Sequence, residues 1–146
     1  MAALPDNYRL LVRRHPTLDQ DVLGVVEGSA DVSDYPGVGE LLLASDALIT
    51  DYSSLIADFV TTGKPILLYV PDLAAYEASP GLNVDLEAVA PGPLLRTFDE
   101  VAAALRDLPL VAAEHEAAAK AFAAEHPTEG SGLAAVRLVD WLLTDD

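Results

Sequence analysis

Apolar residues in this chain come in short runs, each broken by polar or turn-forming residues and followed by a stretch of helical spacing. Residues 8–13 (YRLLVR) predict a short, mostly buried strand that ends at Arg14-His15-Pro16. Residues 23–26 (LGVV) form a second apolar run between Asp21 and Gly28-Ser29. After the Pro36-Gly37 turn, residues 38–44 (VGELLLA) have helical character. Residues 47–50 predict a short buried strand, and residues 54–62 a helix closed by Gly63. Residues 65–70 (PILLYV) read as the next strand, because proline can open a strand but not interrupt one.

Residues 71–93 hold four prolines and little periodicity, which predicts a long loop with one turn of helix. Long loops inside compact domains are more often functional than idle. Leu94-Leu95-Arg96 is a last short strand, and Thr97-Phe98-Asp99-Glu100 has the form of a capping box. Helices are expected at 99–106 and 110–125, divided by Pro109, and at 132–143 after Pro127 and Gly130. Short apolar strands alternating with helices imply parallel βαβ units with both faces of the sheet covered. The expected fold class is therefore α/β. Such sheets bind ligands beyond the carboxyl ends of their strands. That rule selects three places: His15, residues 50–54, and the loop from Pro71.

Composition narrows the picture. A length of 146 residues fits one domain over 1–146, and 51% hydrophobic residues can build a core. No apolar run reaches the roughly 18 residues of a membrane span. The opening MAALPDNYRL lacks the segments of a signal peptide. Having no cysteine, the chain can form neither a disulfide nor a thiolate nucleophile. A soluble cytoplasmic protein is the expectation. The net charge of −16 argues against nucleic acid as a partner, since phosphate backbones demand Lys/Arg surfaces. Arg9, Arg13 and Arg14 nevertheless cluster near the start and could serve a small anion, or could be the solvated ends of a strand.

Four groups of residues could carry chemistry. Thr50, Ser53 and Ser54 lie where a strand gives way to a helix. Hydroxyls beside free first-turn N–H groups suit a phosphate oxygen, although Ser and Thr also cap helices with no ligand at all. Asp58 follows within that helix, with Gly63 and Pro65 after it. His15, flanked by Arg13 and Arg14 and with its turn fixed by Pro16, is the best catalytic candidate, as base, acid or phosphate binder. Glu40 precedes Leu41-Leu42-Leu43 and is expected at the surface, as are His115 and His126 in the C-terminal helices. No spacing of His and carboxylates suggests a metal site, and no Walker loop or G-x-G-x-x-G is present.

The segments YRLLVRRHP, ELLLASDALITDYSS, KPILLYVPDLAAYEASPG and APGPLLRTFDEVAAAL follow one another as they do in the CDP-glycerol glycerophosphotransferase family of teichoic-acid primases and polymerases, which the chain resembles over nearly its whole length. The tail FAAEHPTEGSGLAAVRLVDWL is similar to that family's closing helix. The resemblance implies a GT-B-type enzyme with two facing Rossmann-like domains, of which this chain is the donor-binding C-terminal part. Such an enzyme transfers glycerol phosphate from CDP-glycerol to a lipid-linked acceptor at the cytoplasmic face of the membrane, with no cofactor. It implies His15 in catalysis or on the donor phosphate, with Arg13 beside it. Thr50, Ser53 and Ser54 would hold the pyrophosphate and Asp58 the ribose, with Glu40 a further donor-side acid.

Two departures bear on the donor. Ala57 stands where that family has an aromatic, and Pro80-Gly81-Leu82-Asn83 replaces an Arg-Gly-aromatic-Tyr run. They keep open a different nucleotide-activated donor. The resemblance also implies an N-terminal acceptor domain and a central first strand ahead of Tyr8. A gap between the Tyr8 and Ala47 strands is then expected, closed up or filled by another chain. A nucleotide-binding remnant without activity alone, and a receiver-like phosphorylatable Asp51, are the other readings.

Overall fold

The computed structural model describes residues 8–15, 28–78, 84–126 and 133–144. Among the described residues there are five short parallel strands and seven helices. They are β1 (Leu10–Val12), β2 (Ser29–Asp31), α1 (Val38–Ala44), β3 (Leu48–Thr50), α2 (Leu55–Val60), β4 (Ile66–Tyr69), α3 (Leu73–Ala78), α4 (Leu86–Val89), β5 (Leu94–Leu95), α5 (Phe98–Arg106), α6 (Leu108–Glu125) and α7 (Ala134–Thr144).

The strands form two sheets. β1 pairs with β2, and β3, β4 and β5 form the other in that order, all in parallel. Among the described residues no ladder joins β1 to β3, so the gap expected between those strands is present. Side chains span it instead. The Tyr8 hydroxyl donates to the Leu105 carbonyl at 2.7 Å, and its ring packs with Ala47 against Leu67 and Leu105.

β4 is the centre of the larger sheet, and the alternation of its side chains makes two cores. Ile66, Leu68 and Val70 face α2, α3, α4 and the end of α6, meeting Phe59, Leu73, Leu86 and Phe122. Leu67 faces the other way, against Leu105 of α5 and Leu108 at the start of α6. The 18-residue α6 therefore serves both faces. Gly92 sits so close to β4 that an added Cβ would lie 1.9 Å from the Ile66 carbonyl oxygen, which explains a glycine beside the edge strand.

Most of the expected elements appear with ends shifted by a residue or two. Gly63 follows α2 at φ +68°, a left-handed conformation that glycine adopts without strain. The capping box is complete: Thr97 Oγ1 accepts from Glu100 N, and Glu100 accepts from Thr97 N. Pro109 lies inside the first turn of α6, where its missing N–H costs nothing, so that helix starts earlier than expected. One expectation needs correction. The stretch after β4 holds two short helices, α3 and α4, rather than one turn. The sequence reading does not mark β2, Ser29–Asp31, where hydrophobicity gives no signal; Arg14–Asp31 and Arg14–Ser33 bonds anchor it. The LGVV run lies outside the described residues.

Candidate functional site

The carboxyl ends of β1 and β3 carry most of the candidate residues, as expected for an open parallel sheet. Thr50 closes β3 and is half-buried. The chain then turns through Asp51 and Tyr52 to Ser53 and Ser54, where α2 begins. The turn uses its own donors and acceptors. Ser53 Oγ accepts from Leu55 N at 3.2 Å, the Ser53 carbonyl from Ile56 N at 3.3 Å, and the Ser54 carbonyl from Ala57 N at 3.0 Å. The first-turn N–H groups expected to be free are thus engaged locally, which corrects that part of the sequence reading. What remains is side-chain chemistry. Among the described residues the hydroxyls of Thr50 and Ser54 and the carboxylate of Asp58 take no hydrogen bond from the protein. Ser54 and Asp58 are four residues apart and share one face of α2.

A second group gathers around β1, β2 and α1. Arg13 Nη1 donates to the carbonyls of Val32, at 3.2 Å, and Tyr35, at 2.6 Å. The Tyr35 hydroxyl in turn donates to Glu40, the first-turn acid of α1. That bond raises the Tyr35 hydroxyl above the ordinary tyrosine value. Arg13 and Glu40 are so brought together through Tyr35. Arg14 pairs with Asp31 at 2.8 Å. Asp31 is held below the usual carboxylate range, first by hydrogen bonds from Ser33 and then by Arg14. The basic spot is therefore mostly structural. His15 follows it, exposed, at the carboxyl end of β1.

Residues that sequence reasoning missed tie the two loops after β3 and β4. The Tyr52 hydroxyl donates to Asp72 Oδ1 at 2.8 Å, and the Tyr52 ring stacks on Tyr76 with centroids 3.7 Å apart. Burial, and then the bond to Asp72, push the Tyr52 hydroxyl far above the ordinary value. The partners lie 20 residues apart in sequence, so no local pattern marks them. His115 and His126, expected to face solvent, are half-buried instead. Their Nδ1 atoms meet the carbonyls of Val111 and Phe122 one turn back.

A groove of about 240 Å³ lies elsewhere, at the amino end of β4, where Lys64, Pro65 and Ile66 face His115 and Lys120 of α6. Its lysines are engaged: Lys64 donates to the carbonyls of Leu43 and Ser45, and Lys120 pairs with Glu116. It is the wrong end of the sheet for a ligand of this fold. Among the described residues no helix is long and apolar enough to cross a membrane.

Comparison with known proteins extends these observations. The family model described as CDP-glycerol:poly(glycerophosphate) glycerophosphotransferase matches residues 1–144. A teichoic acid poly(glycerol phosphate) polymerase of Bacillus spizizenii is 41% identical over 105 residues, covering 70% of this chain and 27% of that protein. Its Bacillus subtilis counterpart is 39% identical over 108 residues, covering 72% of this chain and 14% of the other. A solved structure of a variant of the wall teichoic acid polymerase TagF, soaked with CDPG, superposes with a TM-score of 0.80 at 28% identity, over 96% of this chain and 36% of that one. The chain thus spans about a third or less of the length of the proteins it matches.

Proposed function

Because the chain belongs to the CDP-glycerol:poly(glycerophosphate) glycerophosphotransferase family, we propose that it forms the donor-binding portion of an enzyme that transfers glycerol phosphate from CDP-glycerol to a lipid-linked teichoic-acid-type acceptor. The observation that carries this reading is the set of unengaged side chains at the carboxyl end of β3. Thr50 and Ser54 offer hydroxyls to a pyrophosphate, with Ser53 shaping their turn, and Asp58 offers a carboxylate to the ribose hydroxyls one helical turn away.

In the reaction so assigned, an acceptor hydroxyl attacks the β-phosphorus of CDP-glycerol in line. The new O–P bond forms as the bond to the bridging oxygen breaks, and that oxygen leaves with CMP. Positioning and charge stabilisation supply most of the rate. His15 takes the acceptor's proton or, when charged, binds the donor phosphate. Arg13 and Glu40, tied to each other through Tyr35, serve the donor side. No cofactor enters. The acceptor side belongs to the further length that the relatives carry, at the cytoplasmic face of the membrane.

Calorimetric titration of the folded chain with CDP-glycerol, CMP, UDP-glucose and UMP tests this. Cytidine-selective binding supports the assignment. Selectivity for a uridine donor would move the chain to another nucleotide-activated substrate, and no binding at all would leave the fold as scaffold.

A further inference from the structure

We propose that Tyr52 and Asp72 are positioning residues for the donor, a latch that fixes the loop after β3 against the loop after β4. The inference rests on the donor-site reading above. Tyr52 lies in the turn between Thr50 and Ser54, whose hydroxyls are assigned to the pyrophosphate. Its hydroxyl donates to Asp72 Oδ1 at 2.8 Å, and its ring lies on Tyr76 at 3.7 Å with 20° between the planes. Asp72 is itself fixed at the start of α3: its carbonyl accepts from Ala75 N and Tyr76 N, both at 2.9 Å, while Leu73 beside it is buried in the core. One side chain thus joins two loops at the carboxyl ends of neighbouring parallel strands.

The fold does not need this hydroxyl. The Tyr52 ring already packs on the core, and the carboxylate it meets is exposed, so a phenylalanine would fill the same space. What the hydroxyl adds is a direct tie between the two loops, which fixes the turn that carries Thr50 and Ser54.

The test is a double-mutant cycle read by calorimetry with CDP-glycerol, alongside thermal unfolding of each variant. Tyr52→Phe keeps the ring stack and is expected to leave the melting temperature within a few degrees of wild type, while weakening CDP-glycerol binding by roughly tenfold. In the Tyr52→Phe/Asp72→Asn double variant the tie is already broken by the first substitution, and binding is expected to stay within about threefold of that of Tyr52→Phe. A bond that served the fold alone would instead lower the melting temperature in step with affinity. Either additive losses or a Tyr52→Phe variant binding within about twofold of wild type would overturn the latch alone. Folded wild-type protein that fails to bind CDP-glycerol would overturn the donor-site reading, and the latch with it.

Discussion

Leu67 and Leu68 are consecutive, both fully buried, and belong to different cores: Leu67 meets Leu105 and Leu108, while Leu68 meets the cluster of Phe59, Val70 and Phe122. This relationship defines β4 as a central strand covered on both faces. Leu67→Ala and Leu68→Ala are each expected to cost about 2–5 kcal/mol, by lost transfer energy and the cavity left behind. Chemical denaturation would show losses of similar size on the two faces; a negligible loss for Leu67 would mean that the α5 face is not a core.

Gly92 permits the close approach of its segment to β4. Placing a Cβ 1.9 Å from the Ile66 carbonyl oxygen forces the backbone apart. Gly92→Ala is expected to destabilise by about 2 kcal/mol or more, or to prevent folding. Denaturation midpoints would check this, with Gly39→Ala as the control, since nothing lies within 4 Å of its added Cβ.

Acid should weaken two local ties. Glu100 is held below the usual carboxylate range, first by hydrogen bonds from the backbone of Arg96 and then of Thr97, and Asp31 by Ser33 and then Arg14. Each native pKa is depressed, so the stability these groups add is present above the ordinary carboxylate value and is lost as pH falls through the native one. Denaturation midpoints should fall with pH in that acid range. Glu100→Gln should show a shallower fall, and an unchanged slope would remove the capping box from the explanation.

Tyr35 behaves in the opposite sense. Its bond to Glu40 raises its native pKa, so the stability it brings is present below the ordinary tyrosine value and is lost as pH rises through the native one. Ultraviolet titration of Glu40→Gln beside wild type should show one tyrosine ionising earlier in the variant. Identical curves would mean that the Tyr35–Glu40 bond does not form in solution.

The sequence carries the fold well where physics is local. Apolar runs at 47–50 and 65–70, the capping box at Thr97 and the glycine stop at Gly63 all mark elements close to where they form. It is silent where an element depends on distant partners. β2 has the sequence Ser-Ala-Asp and is held by Arg14 from 17 residues away. The stretch after β4 forms α3 because Leu73 finds the core, and α4 because Leu86 does and Asp85 caps it, not because of periodicity. The same division holds at the site. The hydroxyls at 50–54 stand out in the chain, whereas Tyr35 joining Arg13 to Glu40, and Asp72 holding Tyr52, exist only once the strands are side by side.

The most direct measurement is calorimetric titration of CDP-glycerol into the wild-type chain and into a Thr50→Val/Ser54→Ala variant of matched thermal stability. The account predicts cytidine-selective binding by wild type, weakened by roughly a hundredfold or lost in the variant, as expected when two hydroxyls are removed from a charged ligand. Equal binding by the two proteins would contradict it and place the donor, if anywhere on this chain, away from the carboxyl end of β3.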